Sequence, residues 1–158
     1  MPRFKVLADR IEMRPVGDDL MALSLMQEML ASLGEEPDDP AVERLSVAAY
    51  PDDGDAQSEY ERLMNPELDR QRRMDRDAVA SVLKAAESGS VDLTPPEAEA
   101  LLMVLNEARL ALGARLGIVE DGWGSDERRT SDPVALLLRY LTGYQDDLIR
   151  ALAKRIEP

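Results

Sequence analysis

The sequence predicts a mainly α-helical protein, a single-domain helical bundle around a central helix at about residues 94–117. Three observations support this class. The helix formers Ala, Leu, Glu and Arg dominate the 158-residue chain. Hydrophobic residues make up 44% of the chain but aromatic residues only 4%, so Leu, Ala, Val and Met must fill the core. The third observation is the pattern of the central segment itself.

Helix-boundary signals flank the central segment. Thr94 can accept a hydrogen bond from the first turn, and Glu97 completes a capping box with it. Pro95 stands at the first helical position, and Gly117 can take the left-handed conformation that ends a helix. Between them, helical spacing aligns an apolar stripe of Ala98, Leu101, Leu105, Ala108, Leu112 and Leu116. Apolar residues also cover other sides, which is typical of a buried helix.

A small β-hairpin is predicted at residues 3–14, because apolar and polar residues alternate on both sides of Ala8-Asp9. The residues expected to face inward are Phe4, Val6, Ile11 and Met13. Residues 91–93 are a candidate third short strand beside this hairpin. After the hairpin a helix is expected, which Asp18 or Asp19 caps and which ends near Leu33.

The segment 35–61 is strongly acidic. It holds ten Asp or Glu residues against one Arg, a net charge of −9 out of −13 for the whole chain. Short helices are predicted at about 40–47 and 56–64, separated by a turn-rich loop. Asp53 and Asp55 have the spacing of the first two calcium ligands of an EF-hand, but Ser58 stands where that loop needs glycine. A solvated acidic loop is the favoured interpretation.

A separate helix is predicted from Asn65-Pro66 to about Glu87. Polar residues lie in line with its apolar stripe, and burying them without partners costs free energy. Together with polar residues of the central helix they form a candidate buried polar network, which consists of Gln71, Arg72, Asp75, Asn106, Arg109 and Arg115. A structural role is favoured for this network over a ligand site. Arg70, Arg73 and Arg76 are expected to face solvent.

The C-terminal part combines a long polar loop at 118–131 with a helix from Asp132-Pro133 to about Ile156. One flank of this helix is more apolar than one-sided packing requires, so it is either a second core contact or a protein-binding surface. The loop carries the only tryptophan, which is either a partner anchor or a plug for the core. The candidate partner or dimer surface is therefore Trp123, Leu136, Tyr140 and Tyr144.

Composition excludes several kinds of chemistry. The chain has no cysteine and no histidine, so it lacks disulfides, thiolate nucleophiles and the commonest general base and metal ligand. A net charge of −13 repels phosphate, which disfavours nucleic-acid binding by the surface as a whole. No signal sequence and no apolar run of transmembrane length is seen, so a cytoplasmic protein without membrane association is expected.

Several segments resemble an uncharacterised actinobacterial family known only as domain of unknown function number two-thousand-seventeen. The resemblance is carried by residues 105–118 and 132–152, by Ala49-Tyr50 with Asp52-Asp53, by Glu59 to Leu63 and by 91–93. It implies an all-α cytoplasmic protein, often encoded near the adaptor of the Clp protease. The family also includes proteins described as transcription regulators, some of them oxidation-responsive ones that use a cysteine pair and work with an alternative sigma factor. A thiol switch does not carry over to this chain, because it has no cysteine.

The favoured function is that of a non-enzymatic, cytoplasmic regulatory or protein-interaction domain without a cofactor. Its partner would be a protein, for which the resemblance implies the transcription machinery or a sigma factor, and homodimerisation is compatible with it. One alternative is a DNA-binding transcription regulator, supported by the arginines between Arg62 and Arg76. The other is a carboxylate- or metal-dependent enzyme, which has the least support because paired acids such as Asp146-Asp147 diverge on a helix.

Overall fold

The computed structural model describes residues 2–117 and 132–156. These residues contain five helices and three strands. They are β1 Phe4–Val6, β2 Ile11–Met13, α1 Asp19–Ala31, α2 Pro40–Leu45, α3 Gly54–Ala86, β3 Val91–Leu93, α4 Pro95–Arg115 and α5 Pro133–Ile156. The other four helices all contact α4, so the predicted class, a helical bundle around a central helix, is confirmed. None of the described helices combines the length and the apolar composition that a membrane crossing requires.

The central helix α4 has the predicted boundaries. The backbone N–H of Glu97 donates to Thr94 Oγ1 at 3.3 Å, and the backbone N–H of Thr94 donates to Glu97 Oε1 at 3.0 Å. Gly117 follows the helix with a φ of 75°, in the left-handed region that suits glycine. The predicted stripe is fully buried at Ala98, Leu101, Leu105, Ala108 and Leu112 and partly buried at Leu116.

The three strands form an antiparallel sheet in the order β1-β2-β3. Phe4 lies opposite Met13, and Ile11 pairs with Val6 on one side and Leu93 on the other. Because side chains alternate between the two faces of a strand, this register puts the apolar residues on one face. Phe4, Ile11, Met13 and Leu93 are all buried there against the helices. The hairpin and the third strand are thereby confirmed.

The N-terminus of α1 differs from the capping expectation. Asp18 occupies the N-cap position, but its side chain accepts no capping hydrogen bond. Asp19 is the first helical residue and is buried, with its carboxylate turned towards β1. The helix ends at Ala31, two residues before the predicted end, where the Ser32 hydroxyl donates to the Met29 carbonyl at 2.6 Å. A serine that bonds back to its own helix competes with the backbone and favours termination.

The largest difference lies in α3. The predicted break at Asn65-Pro66 is wrong, because one helix runs from Gly54 to Ala86 with Pro66 inside it. Proline has no backbone N–H, so the carbonyl of Arg62 loses the hydrogen bond that residue 66 would otherwise donate to it. Such a loss costs about 3 kcal/mol within a helix. Residues 62–67 are all exposed, so water can solvate that carbonyl. Ion pairs at i,i+3 spacing also support the helix before and after Pro66.

Candidate functional site

The described residues of the predicted partner surface on α5 differ widely in burial. Tyr144 is only 1% exposed and meets Phe4 edge to face, with ring centroids 5.3 Å apart. Tyr140 is half-buried and is hydrogen-bonded to α1. The prediction of a docking surface is therefore wrong for Tyr144, which packs against β1, and the hydroxyl of Tyr140 is already engaged by α1. The alternative interpretation, a second core contact, describes Tyr144. Leu136 is exposed, and Trp123 lies outside the described residues.

A buried ion pair explains how this flank is covered. The Asp19 carboxylate is 1% exposed and accepts from Arg3 Nε at 3.0 Å and from the backbone N–H of Val16 at 3.1 Å. The Tyr140 hydroxyl donates to the same carboxylate at 2.5 Å. Arg3 also donates to Asp147 at 2.8 Å, so it joins β1 to both α1 and α5. A buried carboxylate needs such partners, since removing an unpaired charge from water is costly.

The protonation states of this cluster follow from its geometry. Burial acts to lower the pKa of Arg3, but its interactions with Asp147, Tyr140 and Asp19 outweigh burial and raise the pKa, so the guanidinium stays charged. Burial and the hydrogen bond to Asp19 raise the pKa of Tyr140 above its ordinary value. Burial likewise raises the pKa of Tyr144. At neutral pH the cluster therefore holds a charged arginine and two protonated tyrosines. Sequence reasoning treated Asp19 as a candidate helix cap and missed its pairing with Arg3.

The candidate polar network is not one network. Gln71 donates to Asp75 at 3.1 Å within α3, and Asn106 is exposed on α4, so none of these three joins α3 to α4. Arg72 and Arg109 bind different partners, described below. The prediction of a single buried network is therefore wrong, since its three arginines bind different partners and Gln71 and Asn106 are exposed.

The buried acid of this region is Glu107, which sequence reasoning missed. Arg72 lies 3.6 Å from its carboxylate and donates to the Leu45 carbonyl at 2.8 Å. Arg76 donates to the same carboxylate, so its predicted exposure to solvent is wrong. Two arginines of α3 thus converge on one carboxylate of α4. The signal that could have identified it is a lone acid, Glu107, between buried apolar positions of the central helix.

The remaining arginines of the predicted network attach other elements to α4. Arg109 donates to Thr142 at 3.1 Å and to Gln145, both on α5. Arg115 donates to Asp39 at 2.9 Å, next to the start of α2. The Arg115 hydrogen bond is the main cause that lowers the pKa of Asp39 from 3.8 to about 2. The contacts of these two arginines are structural links between helices.

The first two thirds of α3 form the most exposed helical surface of the described protein. We call residues 54–75 the α3 arm, because the buried residues of α3 begin only at Val79. At 1.5 Å per residue the arm is about 33 Å long. Its exposed large apolar side chains, together with the partly buried Tyr60, lie within about 100° of its circumference. They are Tyr60, Leu63, Met64 and Met74, of which Leu63 is 60% exposed.

The arm is supported locally at its N-terminal end. Asp53 caps the helix by accepting from the backbone N–H of Ala56 at 3.1 Å. The Gln57 amide donates to the Val47 carbonyl and accepts from the Tyr50 N–H, both at 2.8 Å. These contacts hold the preceding loop against the first turns and leave the apolar side of the arm open at Leu63, Met64 and Met74.

Four of the five arginines on α3 are ion-paired, and Arg73 is the exception among the described residues. Arg62 donates to Glu59 at 2.5 Å and Arg70 to Glu67 at 2.8 Å, and these hydrogen bonds lower the pKa of both glutamates. Arg72 and Arg76 are both paired with the carboxylate of Glu107. Little positive charge of this arginine cluster is left to face a phosphate backbone. Within residues 2–117 and 132–156, no group of three or more carboxylates is placed to hold a metal ion.

Comparison with known proteins identifies a lineage. The family model described as "Domain of unknown function (DUF2017)" matches residues 5–152, which includes every element except the start of β1 and the end of α5. No curated protein and no solved structure matches the chain. The family match spans nearly the whole sequence, and the chain therefore belongs to this family of unknown function.

Proposed function

We propose that the protein is a non-enzymatic, cytoplasmic protein-interaction domain with a regulatory role, and that the α3 arm is its partner-binding element. The observation that carries the proposal is the contrast within α3. The arm has no buried residue, and yet it exposes Leu63, Met64 and Met74 along one side. An isolated helix is only marginally stable in water, and exposed apolar side chains on it favour docking.

The arm has the features of a helix that binds in a groove. In this mode, an amphipathic helix places its apolar side chains into a hydrophobic groove of the partner. Full burial of a Leu or Met side chain contributes about 1.5–3 kcal/mol. Leu63 and Met64 are already partly covered, so about 1 kcal/mol each is the gain expected from a partner.

The charge of the acidic segment indicates what kind of protein surface the arm would bind. The segment 35–61 leads into the arm and carries a net charge of −9. We therefore expect an apolar groove flanked by Lys and Arg, on a protein whose association slows as salt increases. A component of the transcription machinery, such as a sigma factor, fits the resemblance of the sequence. A second copy of this chain is the competing occupant, but its own net charge of −13 opposes that pairing.

Direct DNA binding receives less support. It requires several free arginines on α3, whereas Arg62, Arg70, Arg72 and Arg76 are each paired with a glutamate, which leaves only Arg73 without an ion pair to the described residues. The proposed protein partner uses the apolar side of the arm instead and does not need these arginines.

The test compares two exposed sites on helices. The double variant Leu63→Ser/Met64→Ser removes the apolar side chains of the arm, and Met103→Ser is the matched control on α4. Each protein captures partners from native lysate, and the partner common to wild type and control is then purified. We expect its Kd to weaken at least tenfold for the double variant, since about 2 kcal/mol of apolar burial is lost.

The proposal is refuted if the double variant binds that partner as tightly as Met103→Ser does. Circular dichroism of all three proteins checks that they remain helical. Light scattering of the wild type tests the second-copy alternative, for which a dimer abolished by the double variant is the diagnostic result. Salt-sensitive DNA binding that survives the double variant would favour the DNA-binding alternative.

A further inference from the structure

A cleft between β1 and the C-terminal half of α5 is lined mainly by cations, although the chain as a whole is acidic. Its volume is about 530 Å³, within the range of small-molecule sites. The charged residues that line it are Arg3, Lys5, Asp147, Arg150 and Lys154. Four cations therefore meet one carboxylate here, on a chain whose net charge is −13.

The cations converge because of the local periodicity of the two elements. Lys5 alternates with the buried Phe4 along β1 and is exposed, and Arg3, which precedes β1, is held beside it by its bond to Asp147 on α5. Arg150 and Lys154 are four residues apart on α5, so they lie one above the other on one face of that helix. Packing of α5 on β1 brings the two pairs to opposite sides of the cleft.

The lysines of this cleft are available to a ligand. Lys5 and Lys154 are exposed, and neither has an ion pair with any residue in the described ranges 2–117 and 132–156. Arg150 has only a 3.7 Å contact with Asp147, whereas Arg3 is fixed by its bonds to Asp19 and Asp147. The chain has only three lysines, so two of the three face one cleft.

We propose that this cleft binds a small molecule that carries a multiply charged anionic group, either phosphate or carboxylate. The ammonium groups of Lys5 and Lys154 donate hydrogen bonds to the anion, and Arg150 lies on the same side of the cleft as Lys154. Phe4, Val6 and Ala151 give the cleft an apolar wall for the body of the ligand. The site is independent of the α3 arm, which lies on another element.

The small number of lysines allows a direct test. Reductive methylation with ¹³C-formaldehyde keeps the positive charge and gives each of Lys5, Lys84 and Lys154 its own methyl signal. The protein is titrated with pyrophosphate and separately with citrate, at constant ionic strength. We expect the Lys5 and Lys154 signals to shift together and to saturate, while the signal of Lys84, exposed on α3, does not shift.

The two probes separate the sources of the anion. Saturation with pyrophosphate alone assigns a phosphate-bearing ligand, and saturation with citrate alone assigns a carboxylate-bearing one. In calorimetry, Lys5→Gln/Lys154→Gln should weaken the Kd at least tenfold, and Lys84→Gln should leave it unchanged. Equal shifts of all three lysines, no saturation with either probe, or an unchanged Kd for the double variant would each overturn the proposal.

Discussion

Substitution of Asp19 by Asn should cost much more stability than the same substitution of Asp147, although both aspartates bind Arg3. Asp19 is 1% exposed, and its carboxylate also accepts from Tyr140. The Asp147 side chain is 37% exposed, and its contact with Arg3 is a surface ion pair. Both variants replace an aspartate that binds the Arg3 guanidinium with asparagine, so the two sites can be compared by their burial.

The difference in burial sets the magnitude. Breaking a buried ion pair by removal of one partner typically costs about 3–5 kcal/mol. The Arg3 side chain is 23% exposed and keeps Asp147 in Asp19→Asn, so we expect about 2–3 kcal/mol, below that range. An exposed pair contributes about 0–1 kcal/mol, which is the expected loss for Asp147→Asn.

Urea unfolding followed by circular dichroism at neutral pH measures both losses. Tyr140→Phe, combined with Asp19→Asn in a double-mutant cycle, isolates the contribution of the hydroxyl, because the two groups are in direct contact. Equal losses for Asp19→Asn and Asp147→Asn, both below about 1 kcal/mol, would refute the assignment of Asp19 as the buried centre of this cluster.

Three further predictions follow from other parts of the fold. Pro66→Ala should increase helicity and slow amide exchange in the α3 arm, because it restores an N–H inside a continuous helix; a loss of helicity would contradict that continuity. The lowered pKa of Asp39 gives stability that is present above pH 3.8 and lost as the pH falls through about 2. Arg115→Gln should flatten this part of the acid unfolding curve, and an unchanged curve would count against the pairing. Leu105→Ala should destabilise the protein by about 2–5 kcal/mol in urea unfolding, whereas Met103→Ala on the exposed side of α4 should change stability little.

Local signals in the sequence were sufficient for the central helix and the sheet. Thr94 and Glu97 are three residues apart, so their capping box is visible without knowledge of the fold. The alternation around Ala8-Asp9 likewise fixes which face of the hairpin is buried. In both cases, the interactions that decide the structure lie within a few residues of each other.

Interactions between distant residues could not be predicted in this way. Arg76 and Glu107 are separated by 31 residues, and Tyr140 and Asp19 by 121 residues. Nothing in the local pattern of α5 shows that β1 covers Tyr144. The break predicted at Pro66 failed for a related reason, because proline is a strong local signal and only the exposure of residues 62–67 shows that water can compensate for it.

Hydrogen–deuterium exchange of the free protein and of its complex with the purified partner tests the central claim most directly. For the free protein, we predict fast exchange across the α3 arm and slow exchange in α4, which lies in the core. On binding, the arm should become protected while α4 and α5 remain unchanged. Protection that appears on α5 instead, with the arm still exchanging fast, would contradict the assignment of the α3 arm as the partner-binding element.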